Sequence, residues 1–363
     1  MIEICSDVFY VGVKEPTLRK YDLSVNTPYG TTYNSYIVRG EKTALIDTAP
    51  TNFSEYIENI EIPITEIDYL ICTHSEPDLS GNIEKILDIN PDITVVASIA
   101  ALRNIRQILN RDFKSQVAKE NGKIDLGNGI VLTLYNVPNL HWPDTIAVYL
   151  ERNGILFSGD FLGAHYCENG VFDNKIYNKD ILKTAQKQYF YDTFTPFKSF
   201  VSSALRKLSP LNIDTICPSH GPVLKETDLI NKYSLWCADA VTEEKTAAIF
   251  YVSAHGYTKE LAYIAKKMFT EHGFNTEIFD ASVCDSEQMI KSLNSADIFI
   301  FGTPTINRNA AKEIWNLVTS IDLINSKDKS SFVFGSYGWG GEGVQLIHNC
   351  LKSMKVNVFE KPF

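Results

Sequence analysis

The sequence predicts an α/β chain of two units, 1–245 and 246–363, the second of them a doubly wound parallel sheet. Three observations carry this expectation. Up to about residue 235, short runs rich in β-branched and aromatic residues recur, bounded by Gly, Asn, Asp and Pro, with few helical stretches between them. From Thr246 the rhythm becomes a regular alternation of apolar strand and amphipathic helix. Neither part contains an internal repeat or a low-complexity tract.

Taken in order, the first unit offers strands at 36–38, 43–46, 69–72, 94–97, 131–135, 146–150 and 155–158. Helical periodicity appears at 83–87, at 99–109 and, more weakly, across 181–208. The polar helical stretch 228–246 reads as the connection between units. The second unit then offers strands at 247–252, 275–280, 297–302, 331–335 and 356–359, with helices at 259–269, 310–319 and 344–354.

At roughly 100–200 residues per domain, a chain of 363 residues suits two or three domains. A hydrophobic share of 44% against 21% charged supplies real cores and excludes a disordered chain. With 34 Lys+Arg against 44 Asp+Glu the formal charge is −10, which argues against a general nucleic-acid binder. No apolar run approaches the roughly 20 residues that span a bilayer. The start, Met1-Ile2-Glu3-Ile4-Cys5, lacks the basic-then-apolar pattern of a signal peptide. The seven cysteines are scattered and form no Cys-x-x-Cys pair, so neither a disulfide framework nor a thiolate metal cage is expected. A cytoplasmic location follows as the expectation.

Four segments place a metal-binding type of side chain directly after an apolar strand. In the first, His74, Glu76 and Asp78 alternate in a loop that opens a helix, so all three can converge on one space. The others are Leu140-His141-Trp142-Pro143-Asp144, Ser158-Gly159-Asp160 and Pro218-Ser219-His220-Gly221-Pro222. Each residue taken singly is an ordinary turn or cap residue. Four such segments, all at strand ends, point instead to a metal site.

This ordered set resembles the metallo-β-lactamase superfamily, whose hydrolases carry a second His where Glu76 stands. That replacement, with Leu-His-Trp-Pro-Asp, Ser-Gly-Asp and Pro-Ser-His-Gly-Pro, resembles the flavodiiron proteins over nearly the whole chain. The resemblance implies an αββα metallo-β-lactamase-like sandwich followed by a flavodoxin-like domain. It also implies that His74, Glu76 and His141 hold one iron, Asp78 and His220 the other, with Asp160 bridging. Three carboxylates against two divalent ions leave a net charge near +1, and hard oxygen donors suit a ferrous–ferric couple. Zinc has no redox chemistry and would suit a hydrolase. One departure is Leu79, where the family usually has a further His; the second metal then has only Asp78, His220 and the bridge. Around the site, Tyr189 and His165 are candidates for supplying a proton or hydrogen bond, Trp142 and Phe161 for walling a dry pocket, and Thr31 to Asn34 for supporting the sheet.

In the second unit, Ser253-Ala254-His255-Gly256-Tyr257-Thr258 lies between a strand and a helix, where backbone N–H groups and hydroxyls form a phosphate site. Two further loops, 302–309 and 335–343, would meet it at one edge of the sheet. They contain Thr303, Pro304, Thr305 and Asn307, and Ser336, Tyr337, Gly338, Trp339 and Gly340. Tyr337 or Trp339 can stack on a flavin ring, and the glycines expose N–H groups. These loops resemble those of the flavodiiron flavodoxin domain, which implies FMN. A second departure is that the sequence offers no final helix after the strand at 356–359, where a flavodoxin-like domain normally has one.

The resemblance implies a reductase that converts dioxygen to water, nitric oxide to nitrous oxide, or both. It further implies a head-to-tail homodimer or dimer of dimers, and a rubredoxin-type or flavin reductase electron donor. Two other readings stay open at this point: a flavin electron carrier or sensor with a degenerate metal site, and a zinc hydrolase fused to a flavodoxin.

Overall fold

The structure is a computed structural model describing residues 1–363 apart from 23–24, 54, 239–243, 325, 327–328 and 339. The chain divides into two compact units, Met1–Asp239 and Ala240–Phe363.

The first unit stacks two sheets. One has seven strands in the order Ile2–Cys5, Val8–Tyr10, Tyr36–Arg39, Thr43–Ile46, Tyr69–Ile71, Thr94–Ala97 and Ser115–Val117. The other has five: Gly122–Asp125, Val131–Asn136, Ile146–Leu150, Ile155–Gly159 and Thr215–Pro218. Alternation along each strand explains why the runs are apolar throughout, because successive side chains enter different cores. Val38, Ile46, Ile71 and Val96 face Leu132, Val148 and Phe157 between the sheets. Their neighbours Ile37, Leu45, Leu70 and Val95 pack outward against Ile83, Ile86, Ala101 and Leu102 of helices Ile83–Ile89 and Ile99–Leu109. On the other side Tyr149, Leu156 and Ile216 meet Val201, Ala204 and Leu208. The result is the expected αββα sandwich. Its strand ends bring the four ligand-type segments to one edge.

The weak periodicity of 181–208 resolves into helices Lys179–Tyr189 and Lys198–Leu208, joined by a π-helical turn at Phe190–Phe194 and a 3-10 turn at Thr195–Phe197. Pro196 explains the break, since it lacks the N–H that a continuous helix needs. Tyr189 ends the first of these helices. The connection is shorter than expected: its helix is Leu229–Cys237, and 239–243 lie outside the described residues.

The second unit is a parallel sheet in the order Asn275–Asp280, Thr246–Tyr251, Ile298–Gly302, Ser330–Phe334 and Asn357–Val358. The strand order reverses beside Thr246–Tyr251, which opens a crevice at the carboxyl ends of the strands. Helix Ser286–Ser295 was not anticipated, because only Met289, Ser292 and Leu293 of its polar sequence are buried. Asp285 caps it by accepting from Gln288 N at 2.9 Å. The last strand is shorter than expected, but the ladder continues through Phe359 N to Ser331 O (3.1 Å) and Phe363 N to Val333 O (3.0 Å). No helix follows it among the described residues.

Candidate metal centre and flavin cradle

His74, Asp160 and His220 leave strand ends under local control, and His141 lies in the loop between strands Val131–Asn136 and Ile146–Leu150. Thr73, after strand Tyr69–Ile71, donates its N–H and hydroxyl to the buried Asp47 carboxylate at 2.7 and 2.8 Å, which fixes the peptide entering His74. Pro77 begins the one-turn helix Pro77–Ser80, which turns Glu76 and Asp78 to their places. Gly159 has φ 62°, and a Cβ there would stand 3.1 Å from Thr73 Oγ1, so glycine lets Asp160 approach the His74 loop. His220 Nδ1 donates to Thr32 O at 2.7 Å, leaving Nε2 as the free ring nitrogen.

Two groups of donor atoms result, and Asp160 belongs to both. Its Oδ2 lies 3.4 Å from His74 Nε2 and 3.1 Å from His141 Nε2. Glu76 Oε2 lies 3.3 and 3.1 Å from the same two nitrogens. Asp160 Oδ1 instead faces His220 Nε2 at 3.4 Å, and Asp78 Oδ2 lies 3.1 Å from that nitrogen. Donors about 2.1 Å from one cation stand roughly 3.0 Å apart at right angles and roughly 3.4 Å apart in a tetrahedron. The observed edges match that range. The four residues His74, Glu76, His141 and Asp160 offer atoms all within 4.8 Å of one another.

The electrostatics agree with a cation-binding cluster. Burial alone would lower the histidines, but the surrounding carboxylates overcome it and push His74 up to about 10 and His141 and His220 up to about 9. Burial raises Glu76 and Asp160, yet the facing imidazoles hold Glu76 at about 2 and Asp160 well below the usual carboxylate range. His220 Nε2, Asp78 Oδ1 and Asp160 Oδ1 are buried without a hydrogen-bond partner. Leaving such atoms bare costs on the order of 1–3 kcal/mol each. A cation bound to them removes that cost, so the residues fit the metals that the resemblance implies.

A cavity of about 220 Å³ opens over this site, bordered by Tyr21, His165, Tyr189, Phe197 and His220. His165 is buried with Nδ1 2.9 Å from Thr31 Oγ1, and its ring meets Tyr189 edge-on at 4.8 Å. Burial and the neighbouring His220 push His165 well below its ordinary value. Trp142 packs 6.1 Å from His74, whereas Phe161 sits in the core against Phe194 and Tyr233 rather than at the cavity. Thr31 and Thr32 do more than support a sheet, since they orient His165 and His220.

Tyr21 and Asp22 were not singled out from the sequence. Tyr21 lies on a small ribbon, Lys20–Tyr21 paired with Val25–Asn26, and Asp22 follows it with φ 44°. Burial together with Glu76 and Asp78 pushes Asp22 up to about 6. No sequence periodicity marks so short a ribbon; Tyr21 and its hydrogen-bond partner Asp78 are 57 residues apart.

In the second unit the three loops meet around a cavity of about 500 Å³ lined by His255, Tyr257, Pro304, Thr305, Ser336, Tyr337 and Gly338. That volume suits a cofactor-sized ligand. Gly256 (φ 91°) stands at the start of helix Tyr257–Glu271 with no side-chain cap, so its first N–H groups remain for a phosphate. Ser253 Oγ accepts from Gly256 N at 3.0 Å, and Thr258 Oγ1 lies 2.8 Å from Ser336 Oγ, tying the first loop to the third. Thr303 accepts from Ala311 N at 3.0 Å, so it braces the second loop. Asn307 sits on that loop with φ 50°, and Gly340 lies against Glu342; neither borders the cavity. Trp339 lies outside the described residues. The residues fit a flavin mononucleotide.

Comparison with known proteins agrees with both units. Residues 31–221 match the family described as ODP family beta lactamase, and residues 249–362 match flavodoxin. The flavo-diiron protein FprA2 of Clostridium acetobutylicum is 38% identical, over 100% of this chain and 93% of that protein. The chain belongs to the flavodiiron protein family. The anaerobic nitric oxide reductase flavorubredoxin of Vibrio vulnificus is 29% identical, over 96% of this chain and 72% of that one. The solved rubredoxin oxygen:oxidoreductase of Desulfovibrio gigas superimposes with a TM-score of 0.71 at 25% identity, over 99% of this chain and 92% of that chain. Membership of the flavodiiron family makes the chain an oxidoreductase with FMN and a pair of irons as the family's cofactors.

Proposed function

We propose that this flavodiiron protein reduces dioxygen to water, nitric oxide to nitrous oxide, or both. FMN, when held by the loops of the second unit, supplies the electrons for the reaction. The observation that carries this reading is the shared carboxylate, with Asp160 Oδ2 facing one donor group and Oδ1 the other. His74, Glu76 and His141 would hold one iron, Asp78 and His220 the second, and Asp160 both. The irons, when bound, supply the redox chemistry and an open position for a small gas.

The remaining work falls to the chain itself. The buried imidazole and carboxylate set holds its geometry before substrate arrives, which limits reorganisation during turnover. Tyr189 and His165 at the cavity would hold or pass protons, which both reactions consume. Four electrons and four protons convert one dioxygen to two waters; two of each convert two nitric oxides to nitrous oxide and water. The 253–258, 302–309 and 335–343 loops would cradle the FMN phosphate and ring. Electrons would come from a rubredoxin-type or flavin reductase donor. We further propose a head-to-tail homodimer acting in the cytoplasm; among the described residues no helix is long and apolar enough to cross a membrane.

Steady-state rates for both gases with one reduced donor test this function. Turnover of at least one gas that disappears on iron removal, while FMN still accepts electrons, supports it. Turnover unchanged by iron removal contradicts it.

A further inference from the structure

We infer that Tyr21 is a positioning residue for the second iron, holding Asp78 by a phenol hydrogen bond where residue 79 is not a ligand. This rests on the diiron reading above. The two metal positions are unequally furnished. The first draws on His74, Glu76, His141 and Asp160. The second has His220, Asp78 and the remaining oxygen of Asp160, because Leu79 is a buried hydrocarbon side chain that cannot ligate.

Two of those three groups are held from elsewhere: His220 through Thr32 O, and Asp160 through its place in the first group. Asp78 projects from a helix of only four residues, Pro77–Ser80, and Tyr21 is its hydrogen-bond donor among the described residues. The Tyr21 hydroxyl donates to Asp78 Oδ2 at 2.7 Å, while Oδ1 is buried and unpartnered. Oδ2 is also the oxygen 3.1 Å from His220 Nε2, so the phenol fixes the rotation of the carboxylate while that oxygen keeps a second lone pair for a cation. Tyr21 is itself held firmly. Its ring lies 4.5 Å from that of His165 at 35° and meets His220 edge-on at 5.5 Å, and its backbone is registered opposite Val25. Without the hydroxyl, each iron-binding event would have to order a free carboxylate rotor, and lost partners of metal ligands typically weaken affinity about 10–100-fold.

The test is anaerobic ferrous titration of the FMN-loaded full chain, comparing wild type with Tyr21→Phe and Tyr33→Phe. Phenylalanine at 21 keeps the ring contacts and removes only the donor. Tyr33 is the control: its ring is 5.6 Å from His220, but its hydroxyl donates to Glu15 Oε2 at 3.1 Å rather than to a ligand. We expect Tyr21→Phe to weaken the second iron by about tenfold or more, lose the exchange-coupled mixed-valence EPR signal that one-electron oxidation of the titrated protein with ferricyanide gives at limiting iron, and retain the first iron and FMN. Tyr33→Phe should match wild type. A Tyr21→Phe protein that binds two irons with wild-type affinity and signal overturns the assignment of Tyr21 alone. Wild-type protein that never takes a second iron overturns the diiron reading and this inference with it.

Discussion

Asp160 Oδ1 lies 3.4 Å from His220 Nε2, and both atoms are buried with no hydrogen-bond partner. The opposite oxygen of the same carboxylate is engaged with His74 and His141. One side chain therefore links two donor groups that are otherwise separate.

From that link, Asp160→Asn and His220→Ala should differ. The amide offers one oxygen instead of two and removes a negative charge from both positions, so Asp160→Asn should lose iron at both. His220→Ala should lose the second iron and keep the first. Metal analysis of the purified variants, with FMN content measured in parallel, checks this; equal losses in the two variants would contradict it.

Gly256 should govern flavin retention. Its φ of 91° lies where a Cβ is costly, and a β-branched residue there would distort the turn before helix Tyr257–Glu271. Gly256→Val should weaken FMN binding by about tenfold or more, at a backbone cost of roughly 1–2 kcal/mol. Fluorescence titration of the deflavinated protein measures it, and iron content should not change.

Much of the candidate site was legible because its His, Asp and Glu side chains sit at or soon after the ends of apolar strands. The strands themselves were legible for the same reason: Leu45 and Ile46 are both apolar because one faces the helices and the other the second sheet. Tyr21 was not legible. Its partner Asp78 is distant in sequence, and a two-residue strand carries no periodic signal. Thr32 plays its part in the site through a backbone carbonyl, which no side-chain pattern reveals. The break at Pro196 lay within a periodic stretch whose apolar spacing masked it.

His348 should make the second unit acid-sensitive. It is 2% exposed with Nδ1 unpartnered on helix Glu342–Ser353, and burial, aided by Lys352 one turn on, lowers its pKa below the ordinary value. The unfolded chain therefore binds the proton more readily. Stability is present above the unfolded-state value, about 6.5, and is lost as the pH falls from there toward the folded value. Denaturant melts of wild type and His348→Gln should diverge in slope below that pH and run parallel above it. Parallel behaviour throughout would remove His348 from the account.

The central claim is that the two irons gathered by these six side chains, with FMN, form one four-electron unit. Mixing fully reduced protein with limiting dioxygen and counting electrons consumed per molecule tests it most directly. The account predicts four electrons per dioxygen and no peroxide. Two electrons per dioxygen, with peroxide accumulating as the flavin slowly reoxidises, would contradict it.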